Sequence, residues 1–159
     1  MSREPKLLPP VNYFLTESEK NELMAIAKAT VAAAVKGEPL PEPEVGSEKL
    51  RRIGAAFVTL KKHGQLRGCI GHIIGRIPLN QCVQKVAVSA ALEDPRFRRV
   101  MPEELPELEY EISVLTPTEI VKDLDSIIYG YGLRGAGASA VREVDGGRFV
   151  QLESAGPPW

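Results

Sequence analysis

The residues best equipped for chemistry in this sequence fall in one short run, Leu66-Arg67-Gly68-Cys69-Ile70-Gly71. Strand alternation would put Leu66, Gly68, Ile70 and His72 on one face and Arg67, Cys69, Gly71 and Ile73 on the other. Arg67 and Cys69 then share a face, about 7 Å apart along the strand. A guanidinium near a thiol favours the thiolate, the form in which cysteine attacks electrophiles and exchanges disulfides. Gly68 and Gly71 weaken a strand, and such glycines mark a bulge or the close approach of a ligand or another backbone. One reading makes Cys69 a nucleophile or redox thiol activated by Arg67. The other makes Arg67 an anion-recognising group on a binding surface, with Cys69 acting as the small hydrophobe that a free cysteine usually is.

The remaining candidates are weaker. Cys82 falls on an apolar helical stripe and reads as core. His63 belongs to a turn, and His72 falls on the inferred core face. The spacing Cys69-x-x-His72 resembles half a metal site, but period two sends the pair to opposite faces, and a tetrahedral site needs two further ligands. No metal or cofactor is expected. Asp94 and Arg96, in Asp94-Pro95-Arg96-Phe97, either close a helix end or line a cleft beside the hairpin, where Glu109 and Glu111 of a later strand could join them as acid–base groups. Gly68 and Gly71 with Asp94, Arg96 and Glu111 make up the candidate binding set. No phosphate loop occurs, since the glycine-containing run lacks the lysine–hydroxyl ending and opens no helix.

The elements that must position these residues are legible in part. Thr16 with Glu19 forms a capping-box pattern, Leu23, Ile26, Ala27, Thr30, Val31 and Ala34 recur at helical spacing, and Gly37 ends the helix. Residues 38–48 carry three prolines and four glutamates and read as an exposed connection. Residues 55–60 and 66–74 are β-prone and joined by a five-residue glycine-containing loop, a hairpin signal. Residues 76–94 read as a second helix, with Pro78 in its first turn and one face made of Leu79, Cys82, Val83, Val86, Ala87, Ala90 and Ala91. Phe97 and Val100 are expected to anchor the following loop. Residues 101–105 form a helical turn, and residues 109–116 a half-buried strand with Tyr110, Ile112 and Val114 facing the core. Gly146-Gly147 can turn a hairpin between residues 140–144 and 148–152. Helices interspersed with hairpin-linked strands give an α+β class, with an antiparallel sheet covered by helices.

Length and composition set the outer bounds. A chain of 159 residues, 43% hydrophobic and 26% charged, suits one globular domain. Twenty basic residues against 21 acidic ones leave a net charge of −1, which argues against nucleic acid as the main partner. No apolar run reaches the roughly 18 residues of a membrane span. The first ten residues lack the apolar core of a secretory signal. With two cysteines only, the chain is expected in a reducing cytoplasm.

Taken together, Phe57-Val58-Thr59-Leu60, the lysine-rich turn, Leu66-Arg67-Gly68-Cys69-Ile70-Gly71, then Ala90-Ala91-Leu92-Glu93-Asp94-Pro95-Arg96-Phe97 and Glu111-Ile112-Ser113-Val114-Leu115-Thr116 resemble the AMMECR-type domain family, in order and spacing, from about Leu15 to Tyr129. The resemblance implies an α+β domain with an antiparallel sheet, helices packed on it and a smaller subdomain beside it. It also implies companions, a Memo-type protein and a radical-SAM enzyme, as in the prokaryotic AmmeMemoRadiSam group. It brings no established reaction. Carried over, it singles out Arg67 and Cys69, with Gly68 and Gly71 shaping the backbone.

The chain departs from the family after Tyr129. Members usually continue with a histidine-glycine strand, a leucine-rich strand leading to a proline, and a further helix. Here the sequence runs Tyr131-Gly132-Leu133-Arg134-Gly135-Ala136-Gly137-Ala138 and ends at Trp159. A frameshifted or truncated reading of a GC-rich gene would give such a tail, and an intact frame on resequencing would remove that explanation. The functional expectation is a binding or accessory module working with those companions. An enzyme using Cys69 is the alternative.

Overall fold

The computed structural model describes residues 15–115, 138–144 and 147–152. Helix α1 is Glu17–Lys36. The hydroxyl of Thr16 accepts the Glu19 N–H and the Glu19 carboxylate accepts the Thr16 N–H, both at 3.2 Å, so the two residues satisfy each other's orphan donors. Gly37 closes the helix at φ +71°, a left-handed conformation that costs glycine no steric penalty. Helix α2 is Leu79–Leu92, shorter at its start than the spacing predicts. Pro78 stands outside it as N-cap and pairs with Ile53 as part of a two-residue strand, β3 (Ile77–Pro78).

Strands β1 (Ile53–Lys62) and β2 (Gln65–Gly71) form the expected hairpin, but its turn is His63-Gly64 alone. Both turn residues have positive φ, 52° and 74°, as the two-residue turn that matches strand twist requires. Lys61 and Lys62 therefore belong to β1 rather than to a loop. β2 also stops at Gly71, so His72, Ile73 and Ile74 are exposed and lie beyond the strand. The core position inferred for His72 is thus incorrect, because strand alternation no longer applies to it.

β4 (Leu108–Leu115) lies antiparallel to β1 on the side away from β2. β5 (Ala138–Val144) and β6 (Gly147–Leu152) form the second hairpin read from the sequence, and the sheet order is β2-β1-β4-β6-β5. Among the described strands, the one departure from antiparallel pairing is β4 with β6. β6 returns from β5 at the sheet's edge, and that direction matches β4.

One face of the sheet is the core. Ala56, Val58 and Leu60 of β1 with Tyr110, Ile112 and Val114 of β4 join Leu23, Ala27 and Val31 of α1 and Cys82, Val83 and Val86 of α2 in a single apolar cluster. Burial holds the Tyr110 phenol up at about 12. Gly68 lets β2 lie directly on α2, for a Cβ there would overlap the carbonyl of Ala90. Val100 is buried as expected, while Phe97 is only half-buried. Among the described residues, no helix is long and apolar enough to cross a membrane.

Candidate functional site

The candidate residues lie on and beside β2, the edge strand. Leu60 pairs with Gly68 and Lys61 with Leu66, so Arg67 is an extra residue in a bulge. The bulge breaks the alternation that would have placed Leu66 with Gly68, and Leu66 is exposed. The Arg67 side chain leaves the sheet for the loop after α2. Its Nε and Nη2 donate to the two oxygens of Glu104, each at 3.0 Å, its Nη1 to the carbonyl of Arg98 at 2.7 Å, and Nη2 also to that of Arg99 at 3.2 Å. The bidentate pair fixes both partners. Arg67, then the Met101 N–H and Lys62, hold the Glu104 carboxyl down at about 2.

Asp94 and Arg96 serve the next stretch of the same edge. Cys69 stands opposite Thr59 with its own N–H and C=O pointing outward. Asp94 Oδ2 accepts that N–H at 3.0 Å, and Arg96 Nη2 donates to the Cys69 carbonyl at 3.3 Å. Arg96 also grips Asp94 through Nε at 3.0 Å and Nη2 at 2.8 Å and lies over the Phe97 ring at 5.4 Å. Asp94 is 5% exposed, and the Arg96 guanidinium holds its carboxyl well below the usual carboxylate range. The loop from Asp94 to Glu104 thus covers the sheet edge with side-chain hydrogen bonds where a further strand would pair.

The Cys69 side chain points to the sheet face turned away from α1 and α2. Its Sγ lies 3.1 Å from Oγ1 of Thr59. Thr59 is registered with Cys69 on one side and Glu111 on the other, so the three form one row across β2, β1 and β4. Glu111 pairs with Lys61 at 3.4 Å, and Ser113 follows it on the same face. Cys69 is half-exposed, unlike Cys82, whose thiol burial pushes upward. Gly71 passes so close to β1 that a Cβ would overlap the Phe57 ring and the Ala56 carbonyl.

Of the candidate set, then, Cys69, Asp94 and Arg96 come together through the Cys69 backbone. Arg67 is directed to Glu104. Glu111 shares the face of Cys69 without reaching Asp94, and Glu109 accepts the Gly64 N–H at the hairpin turn, at 3.1 Å. Sequence reasoning missed Thr59 and Glu104. Thr59 was open to discovery through hairpin register, given the two-residue turn. Glu104 lies 37 residues from Arg67, and nothing local marks the pairing. Among the described residues no cluster of three or more His, Cys, Asp or Glu could hold a metal ion.

Residues 24–141, from within α1 into β5, match the AMMECR1 family. The chain belongs to the AMMECR1 family. Relatives of this AMMECR1-family chain include a protein of Methanothermobacter thermautotrophicus, 41% identical over 106 residues, which are 66% of this chain and 55% of that protein. Protein TK0174 of Thermococcus kodakarensis is 41% identical over 107 residues, 63% of this chain and 52% of that one. The crystal structure of PH0010 from Pyrococcus horikoshii, described as an uncharacterised protein, is similar with a TM-score of 0.61 and 33% identity, over 65% of this chain and 54% of that one. The chain spans about half the length of the curated relatives it matches.

Proposed function

We propose that this AMMECR1-family chain is a binding or accessory module, acting with a Memo-type protein and a radical-SAM enzyme through the sheet face that carries Cys69, Thr59, Glu111 and Ser113. One observation supports this above the rest. The charged groups of the signature region are already engaged within the chain, Arg67 with Glu104 and two carbonyls, Asp94 with Arg96 and the Cys69 N–H. A nucleophilic thiol needs a base or a cation beside it, and these groups serve the backbone instead. The test mixes the full chain with each companion purified from the same organism and follows complex formation by calorimetry. Binding that survives Cys69→Ser but is lost in Ser113→Arg, with both variants folded, supports the module. No complex with either companion at tens of micromolar protein sinks it.

A second reading, an enzyme using Cys69, rests on the half-exposed thiol beside the Thr59 hydroxyl. Its activation by Arg67 would require the guanidinium to leave Glu104. Cys69 alkylation that stays fast as pH falls below neutral would favour this reading.

A further inference from the structure

Isoleucine is among the side chains most often found inside a protein, yet Ile53, Ile73 and Ile74 stand 60%, 47% and 60% exposed. All three lie at one end of the sheet. Ile53 begins β1, and Ile73 and Ile74 belong to the loop that joins β2 to β3. That loop is fixed to β1 at both ends. The His72 N–H donates to the Ala56 carbonyl at 3.0 Å, beside the close approach of Gly71. At the other end Gly75 lies on Gly54, where a Cβ would stand 2.8 Å from the Gly54 carbonyl carbon. The backbone of β1 fills the space beneath both anchors, and the two isoleucines between them are held outward.

The charge around them is of one sign. Residues 49–92 contain eight lysines and arginines and no aspartate or glutamate, in a chain whose net charge is −1. Five of the eight are engaged, Lys49, Lys61, Lys62 and Arg67 with carboxylates and Arg51 with the Val45 carbonyl. The other three are Arg52, Arg76 and Lys85, all exposed. Among the described residues, no carboxylate pairs with Arg52 or Arg76. Arg52 precedes Ile53 and Arg76 follows Gly75, so a cation adjoins each segment that carries the exposed isoleucines.

This combination narrows the occupant. A second copy would bring the arginines of both chains together, and like charges oppose that contact. A nucleic acid would use the arginines but leave the aliphatic side chains in water. Protein hot spots are built on Trp, Tyr and Arg set in pockets, whereas this patch is a pinned loop with aliphatic tips. A bilayer with anionic headgroups uses both parts at once. Apolar side chains enter the headgroup boundary without needing hydrogen-bond partners, and each nearby arginine gains from the negative surface. We propose that the end of the sheet formed by Ile53 and residues 72–76 rests on an anionic lipid surface, with Ile73 and Ile74 among the headgroups and Arg52 and Arg76 against their phosphates and carboxylates. The contact is peripheral and needs no crossing segment. It lies beyond β2 and does not use the Cys69 side chain.

The test sediments the full chain with vesicles of phosphatidylcholine carrying about 30% phosphatidylserine, and with vesicles of phosphatidylcholine alone. The chain should pellet with the anionic vesicles at low salt and much less with the neutral ones. Ile73→Ser/Ile74→Ser changes two exposed side chains, should leave the melting temperature unchanged, and should weaken partitioning about tenfold. Arg52→Gln/Arg76→Gln should weaken it about thirtyfold on anionic vesicles and hardly alter the neutral case. No pelleting at about 1 mM anionic lipid overturns the proposal and points to an acidic protein partner instead. Equal pelleting with both kinds of vesicle overturns it as well, since the arginines would then play no part. So does parental partitioning in either double variant, which would place the lipid contact elsewhere on the chain.

Discussion

The carboxylate of Asp94 accepts the backbone N–H of Cys69 at 3.0 Å, so a buried acid 25 residues away completes the outer edge of strand β2. With Arg96 on the Cys69 carbonyl, the two side chains act as a short piece of absent strand. Replacing Asp94 by Ala leaves a buried N–H unpaired and should cost about 2–3 kcal/mol, read by urea denaturation. Asp94→Asn keeps one acceptor but loses the charge-assisted grip of Arg96 and should cost less. A native-like midpoint for Asp94→Ala would mean that the edge is held by other groups.

Arg67 and Glu104 make the second clamp, and its pH dependence has a definite sign. The folded Glu104 carboxyl titrates near 2 against an ordinary value of 4.5, so between these values the unfolded chain binds more protons. Stability from this pair, on the order of 2–3 kcal/mol, is complete above the ordinary carboxylate value and is lost as pH falls toward 2. Glu104→Gln should be less stable than the parent at pH 7, and the difference should shrink in that acid window. Arg67→Lys forfeits the bidentate geometry and should cost about 1–2 kcal/mol.

Gly68→Ala should be among the most damaging single substitutions available. Its methyl would collide with the backbone carbonyl of Ala90, which cannot rotate away, and β2 would have to lift from α2. A loss of about 3 kcal/mol or more is expected, measured as a fall in melting temperature. Retention of parental stability would show that β2 shifts at little cost.

The two cysteines should separate cleanly in alkylation. Cys69 is half-exposed, and Cys82 is 1% exposed with its thiol pushed up by burial. Iodoacetamide followed by mass spectrometry should label Cys69 in the native protein and Cys82 only on unfolding.

At the hairpin turn, His63 holds a positive φ that histidine tolerates less well than asparagine. His63→Asn should stabilise the chain by several tenths of a kcal/mol, whereas Gly64→Ala should cost about 1 kcal/mol. Equal denaturation midpoints for the two variants would contradict the turn geometry.

Much of the scaffold was legible because it is local. The Thr16–Glu19 box, the stripe from Leu79 to Ala91 and the alternation of Tyr110, Ile112 and Val114 each lie within one element, and the structure places them as read. The hairpin was visible, but not its register. A two-residue turn and a bulge at Arg67 depend on pairing that periodicity does not report. The site was legible as a list of residues and not as contacts. Asp94 with Cys69 and Glu104 with Arg67 are long-range pairs that no local pattern announces. The core placement of His72 failed because β2 ends one residue earlier. The glycine-rich run at residues 131–137, where the chain departs from the family, lies outside the described residues.

The bulge at Arg67 also acts as a phase marker for the signature run. It lets a side chain that strand geometry would hold against the sheet reach sideways to Glu104, while Cys69, two residues on, still meets Thr59. A regular ladder of the same residues, without the bulge, would set Arg67 opposite Leu60 and Cys69 opposite Val58 and turn the thiol inward against α2. The order of letters would survive, but the surface they build would be inverted.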